Sequence, residues 1–266
     1  MEISYSSRGK NVNVTASPLS RHVYASVLFA SLLLFAPAAT AGPPYVTDDP
    51  EPVHFRNWEL YLAGTRTADG RNRSGDAPHF EANYGAAEGV QVHLIVPLAF
   101  SRPQGGTTTF GLGDIEVGAK YRFVEETGSS PQVGTFPLVE LPAGDARRGL
   151  GAGHVRAFVP IWLQKSFGKW TTYGGGGYWI NPGDGNRNWW YAGWQAQVQV
   201  TSFASPGIEV FYQTPSQEGR SAEIHLNVGL ILDVGKSHHI LLSAGRAIHG
   251  CDCDQAYAAY LLTFGP

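Results

Sequence analysis

Gly113-Asp114-Ile115-Glu116-Val117-Gly118-Ala119-Lys120-Tyr121-Arg122-Phe123 sorts its residues into two registers. Ile115, Val117, Ala119, Tyr121 and Phe123 fall on one, and Asp114, Glu116, Gly118, Lys120 and Arg122 on the other. A period of two is the signature of a strand with one apolar and one polar face. Outward from this stretch the pattern recurs. Trp58, Leu60 and Leu62 alternate with Glu59, Tyr61 and Ala63, and Val90 to Leu98 alternate with Gln91, His93, Ile95 and Pro97. Trp190 to Val200 alternate with Trp189, Tyr191, Gly193, Gln195, Gln197 and Gln199, and Ile224 to Val234 with Glu223, His225, Asn227, Gly229, Ile231 and Asp233. Weaker runs occupy 78–85, 132–141, 154–165, 169–180, 207–213, 238–247 and 255–264. Together they predict about twelve strands of about 9 to 13 residues, the length a tilted strand needs to cross a hydrocarbon layer.

The connections between these strands alternate in length. Longer polar segments fall at 66–77, 101–113, 142–153, 181–188, 214–222 and 247–254. Shorter ones lie between them at 86–89, 167–169, 205–207 and 235–237, with 126–131 longer than the rest. Outer-membrane barrels join strands in this way, by short periplasmic turns and longer outer loops. The expected fold is therefore all-β: a transmembrane antiparallel barrel over 55–266. A soluble β-sandwich also has amphipathic strands separated by turns, but its apolar face packs inward instead of meeting lipid. Regular strand length, aromatic strand ends and the loop alternation favour the membrane barrel. The chain ends on Tyr260-Leu261-Leu262-Thr263-Phe264, a candidate closing strand, followed by Gly265 and Pro266.

Before the strands, Val23 to Ala39 form an apolar run preceded by Arg8, Lys10 and Arg21 and followed by Ala39-Thr40-Ala41. This reads as a secretory signal peptide over 1–41. A membrane anchor is the competing reading, but Pro37 interrupts the run and it falls short of about 20 residues. Residues 42–54, with Pro43, Pro44, Pro50 and Pro52, admit neither helix nor central strand and read as an extended periplasmic lead-in.

The 266 residues include 33 Gly, 12 Tyr, 7 Trp and 13 Phe with 15% charged residues, poor material for a helical bundle. A formal net charge of -3 offers no basic excess for a phosphate backbone, so nucleic acid is not an expected partner. The expected partners are outer-membrane lipid and a small-molecule solute, and no cofactor or resident metal is expected. The only cysteines, Cys251 and Cys253, are candidates for a local disulfide in an exported protein. A metal site using His249 with both thiols is the alternative, although closed sites want four ligands.

If the apolar face meets lipid, the other face lines a lumen. The candidates for that lining are Glu59, Tyr61, Glu81, His93, Asp114, Glu116, Lys120, Arg122, Glu140, Arg156, Trp162, Trp189, Tyr191, Glu209 and His225, with Phe211 and Arg246 further members. Charges of both signs in a narrow interior should pair, as a structural lining, or form a selectivity surface as charged rings do in pores. The aromatic members could accommodate apolar or aromatic solutes. Enzymatic chemistry is not expected. Ser221, His225 and Asn227 share a strand, and Ser237, His238 and His239 share a turn, but neither set carries a Gly-x-Ser-x-Gly elbow. Gly174 to Gly177 lack the Lys and helix of a phosphate loop and read as room for close packing or a bulge.

Several segments together carry a resemblance. They are Pro43-Pro44-Tyr45-Val46-Thr47-Asp48-Asp49-Pro50 before Trp58-Glu59, Glu81-Ala82-Asn83-Tyr84-Gly85, Gly113 to Phe123, Pro137-Leu138-Val139-Glu140-Leu141-Pro142 and Trp162-Leu163-Gln164-Lys165. From about residue 43 to its end the chain resembles the bacterial outer-membrane transporter family named for the MetA pathway of phenol degradation. That grouping is itself similar to the barrels that export functional-amyloid subunits. The resemblance implies a Gram-negative outer-membrane, porin-like transporter with no catalytic residues to carry over. It implies passage of small solutes, aromatic or apolar ones among them, with secretion of a polypeptide as the alternative and an outer-membrane hydrolase behind both. The chain has only a short Pro-rich lead-in where a polypeptide exporter has a helical periplasmic extension, which keeps small-molecule passage ahead.

Overall fold

The computed structural model describes residues 43–266; the signal-peptide reading of 1–41 lies outside them. Fourteen strands form one antiparallel sheet. In order they are β1 (Trp58–Asp69), β2 (Asn72–Ala87), β3 (Val90–Arg102), β4 (Thr109–Leu112), β5 (Ile115–Val124), β6 (Gln132–Thr135), β7 (Leu138–Leu141), β8 (Arg156–Phe167), β9 (Trp170–Ile180), β10 (Trp189–Val198), β11 (Ala204–Gln213), β12 (Glu223–Asp233), β13 (His238–His249) and β14 (Cys253–Phe264). β4 and β5 share one position in the wall and both pair with β3; β6 and β7 share the next and both pair with β8. The last strand returns to the first, from Trp58↔Phe264 to Asp69↔Cys253. The result is a closed barrel of twelve strand positions, which leaves no unpaired edge across most of the wall.

The two-residue period decides which side chains face where. Along β10, Trp189, Tyr191, Gly193, Gln195 and Gln197 are buried while Trp190, Ala192 and Trp194 are exposed. β12 repeats this, with Glu223, His225 and Asn227 buried against Leu226 and Val228 exposed. The exposed face is apolar all round: Leu62, Phe80, Val92, Leu94, Tyr121, Val159, Ile161, Val210 and Leu242 belong to it. Each such side chain gains roughly 1.5–3 kcal/mol on leaving water. A belt of this extent is therefore stable only against hydrocarbon, whereas a sandwich would have packed it inside. Aromatic residues crowd the belt's rims. Trp58, Phe123, Phe167, Trp170, Phe203 and Phe264 stand exposed near the end that carries both strand termini, and Phe110, Trp190 and Tyr212 near the hairpin end, as interfacial girdles do.

Boundaries differ from the sequence reading at 101–113, where Thr109–Leu112 pair with β3 as β4, and in four further places, each for a physical reason. The polar stretch 66–77 is mostly ladder: β1 and β2 continue beyond the apolar belt to a tight turn at Gly70, whose φ is 58°. Outside the belt a strand no longer needs an apolar face, so its alternation fades although its backbone pairing persists. Ser205-Pro206-Gly207 is not a turn but part of β11, and the connection lies at 199–203. The run 132–141 is split at Phe136-Pro137, where proline cannot donate to the ladder. The fourth difference concerns 42–54, whose described residues, with turns and bends at 43–47, pack inside the barrel.

Gly174 to Gly177 lie in β9 and serve close packing. A Cβ on Gly174 would meet the Trp194 ring at 2.4 Å, and one on Gly177 the Phe158 ring at 2.6 Å.

Candidate functional site

The segment before β1 turns at Arg56, whose backbone is left-handed at φ 66°. The turn is fixed to the end of β2 by Arg56 N donating to Gly85 O at 2.7 Å and Gly85 N donating to Asn57 O at 3.0 Å. From there residues 44–54 run back into the lumen as a strap. Val53 N donates to Gln91 Oε1 on β3 at 2.9 Å. Arg122 on β5 bonds Glu51 at 2.5 Å. Lys120 Nζ meets Asp48 Oδ1 at 2.9 Å and Asp49 Oδ2 at 3.4 Å. Further across, Glu209 on β11 accepts from Thr47 N at 2.5 Å and from Val46 N at 3.3 Å, and Thr47 Oγ1 bonds Tyr191 Oη at 2.9 Å. Ser243 on β13 donates to Pro44 O at 2.5 Å. The strap thus reaches inner faces from β3 to β13 and spans the lumen on the terminal side of its middle. Thr47 and Asp49 are 0% exposed.

Glycines on the inner face make the seat. A Cβ on Gly207 would lie 2.3 Å from Tyr45 Oη, one on Gly229 2.6 Å from the Tyr45 ring, and one on Gly193 2.0 Å from Thr47 Oγ1. Gly207, inside β11, thus leaves room for the close approach of the Tyr45 hydroxyl. Burial pushes the Asp49 carboxyl above the ordinary range, and the Lys120 ammonium opposes that. The seat therefore combines shape with charge.

Towards the hairpin end the lumen carries a second group of charges. His93 Nδ1 lies 2.6 Å from Asn83 Oδ1, and its Nε2 lies 3.0 Å from Glu116 Oε1. Glu81 accepts from Asn83 at 2.8 Å and pairs with His79 at 3.4 Å. Nearer the terminal end, Glu59 accepts from Tyr61 Oη at 2.9 Å. Glu140 pairs with Arg156 directly across the β7–β8 ladder. Asp114 differs in role: it accepts from Gly144 N at 3.0 Å and Ala152 N at 2.6 Å, so it ties the loop after β7 over the gap beside β4. Arg246 pairs with Asp252 at 3.8 Å at the exposed tip of the last hairpin.

An aromatic wall adjoins these charges, with the Arg156 guanidinium 5.9 Å from the Trp179 ring. Trp189, Trp179 and Phe158 stack in series, with centroids 5.1 Å and 4.8 Å apart. Trp162 and Tyr191 meet edge to face at 6.2 Å, and Phe211 stacks on His225 at 4.5 Å. Trp179, on β9, was not among the candidates, because the Gly run beside it masks the alternation. At the hairpin end Trp189 also borders a cavity of about 230 Å³ shared with His154, Arg156, Asn181 and Asn186.

Neither hydroxyl cluster is assembled for nucleophilic catalysis. His225 bonds Glu223 at 3.0 Å, Asn227 bonds Glu209 at 2.6 Å, and His238 bonds Tyr260 Oη at 2.6 Å. Cys251 and Cys253 are bridged. The carboxylate within 4.8 Å of both sulfurs is that of Glu223, and the bridge leaves neither Cys as a thiolate to hold a metal.

The fold is that of solved outer-membrane barrels. The chain is similar to the KdgM porin, solved in complex with disordered oligogalacturonate, with a TM-score of 0.54 and 10% identity over 77% of this chain and 99% of that one. It is similar to the NanC porin, with a TM-score of 0.52 and 7% identity over 76% and 98%. It is also similar to the β domain of the Bordetella autotransporter BrkA, with a TM-score of 0.50 and 13% identity over 78% and 98%. No family model and no curated relative matches the sequence.

Proposed function

We propose that this chain is an outer-membrane channel for small solutes whose lumen is closed at rest by its own strap. The observation that carries the reading is the lumen itself, whose charged and aromatic inner wall is crossed by a strap seated through side-chain contacts with Lys120, Arg122 and Glu209. The terminal end, with its short turns, faces the periplasm, and the hairpin end faces outward. The stacked rings support aromatic or apolar solutes, as does the resemblance to the phenol-pathway family, and the charged groups set which of them pass. Twelve strand positions enclose far less space than general porins do, so the path is narrow.

Planar-bilayer conductance tests the reading. Gly229→Leu places a side chain where the Tyr45 ring sits, so the strap cannot seat and the variant should conduct well above the unmodified chain. A correctly folded Gly229→Leu barrel with unchanged, minimal conductance would refute the channel. The strap also favours a second reading, passage of a polypeptide, because it shows that the lumen holds an extended chain through backbone hydrogen bonds at Val46, Thr47 and Val53. Current blocked by an extended peptide but not by small solutes would support that alternative.

A further inference from the structure

The strap's acidic residues are not spread along it at random; they meet two wall cations. Lys120 is 4% exposed and its ammonium is held by Asp48 and Asp49. Arg122, two residues on along the same face, is held by Glu51. That spacing puts the two cationic side chains about 7 Å apart at their roots. The wall supplies little in exchange. Glu125, at 3.5 Å from Arg122, is a solvent-exposed side chain, and Gln132, at 3.4 Å, is neutral. The inward carboxylates Glu81, Glu116, Glu140 and Glu209 have their own partners in His79 and Asn83, His93, Arg156 and Asn227, so the one wall carboxylate left to attract the Lys120 ammonium is Glu59, which also accepts from Tyr61. When the strap leaves, Lys120 and Arg122 lose three carboxylates at once. An uncompensated charge in a confined interior is strongly unfavourable. The open state therefore gains most from a ligand that restores those contacts.

We propose that Lys120 and Arg122 form a binding site for organic carboxylates, above all dicarboxylates, which the strap occupies in the closed barrel with Asp48, Asp49 and Glu51. Resting on the channel reading, this makes the solute both cargo and opener. A carboxylate binds the open state and not the closed one, and so shifts the balance towards opening. The Arg122 guanidinium offers a fork to one carboxylate and the Lys120 ammonium a point charge to the other. The buried Phe136 ring, 5.0 Å from Lys120 Nζ, gives the body of such a solute an apolar face.

The test uses the full chain in planar bilayers with succinate, phthalate and, as the neutral control, succinamide. Succinate and phthalate should raise open probability by about 5- to 150-fold, the usual range of such couplings, and succinamide should leave it unchanged. Lys120→Gln/Arg122→Gln should abolish the response. Asp48→Asn/Asp49→Asn/Glu51→Gln should open without any carboxylate and bind succinate directly in calorimetry in detergent. If this strap variant conducts but binds no succinate in calorimetry, and the unmodified chain does not open in response to succinate, the carboxylate site is overturned and the channel stands. If no folded variant conducts, the channel reading falls, and calorimetry still decides the site: absence of succinate binding to the strap variant would overturn it.

Discussion

Tyr45→Ala separates the strap from the barrel that holds it. Tyr45 is 7% exposed and fits between Gly207 and Gly229, where a Cβ would come within 2.3 Å of its hydroxyl and 2.6 Å of its ring. Truncating a buried aromatic side chain costs about 3–5 kcal/mol. Here that loss falls on seating, since Tyr45 belongs to no strand. At 1.4 kcal/mol per factor of ten, the ratio of seated to unseated strap should fall by roughly two to three and a half decades, with polar contacts such as Lys120–Asp48 left to hold it. Two assays read this: open probability in planar bilayers, and reaction of a Thr47→Cys thiol, buried when seated, with a membrane-impermeant reagent. Thermal unfolding should hardly move, because the closed ladder from β1 to β14 is untouched. A folded Tyr45→Ala protein with unaltered current and an unreactive Thr47→Cys thiol would refute the strap as the closing element.

In detergent the protein should show a β-rich spectrum and heat-modifiable migration, because all backbone pairs of a closed barrel must break together; a chain that stays soluble and monomeric without detergent would contradict the membrane barrel. Single cysteines at Val117 and Tyr121 should react with lipid-phase probes and those at Glu116 and Lys120 should not, and the reverse pattern would invert the faces. The hairpin bearing Cys251 and Cys253 should be labelled on intact cells after mild reduction, while failure of an impermeant reagent to reach it would reverse the orientation. Phe158→Ala should lower barrel stability by about 3–5 kcal/mol, since its ring contacts Trp162, Trp179 and Tyr191; a melting temperature unchanged from the parent would remove the aromatic wall from the core.

Sequence reading reached the barrel but not the strap, and the difference lies in what periodicity can encode. Along β10 or β12 each side chain's face follows from its parity, because backbone pairing fixes the pleat whatever the neighbouring strand carries. Thus Trp189, Tyr191, His225, Glu116, Lys120 and Arg122 could be assigned a common side from position alone. Which of them meet could not. The pairing of His93 with Glu116 depends on the register of β3 against β5, and the contact of Lys120 with Asp48 spans 72 residues. Neither leaves a local trace. Pro43 to Pro52 exclude helix and ladder, which is why the segment reads as a free lead-in, yet the same exclusion suits a chain whose backbone donors must be met by wall side chains such as Glu209 and Gln91. One signal for it was present. Gly193, Gly207 and Gly229 occupy inward positions in strands otherwise built of large side chains, and an inward glycine in a membrane strand marks where something must come close. The lead-in carries Asp48, Asp49 and Glu51, and the nearest inward cations, Lys120 and Arg122, form the opposite charge pattern two residues apart. Those glycines and that charge pattern are the traces in the sequence that match the seat the strap takes in the structure.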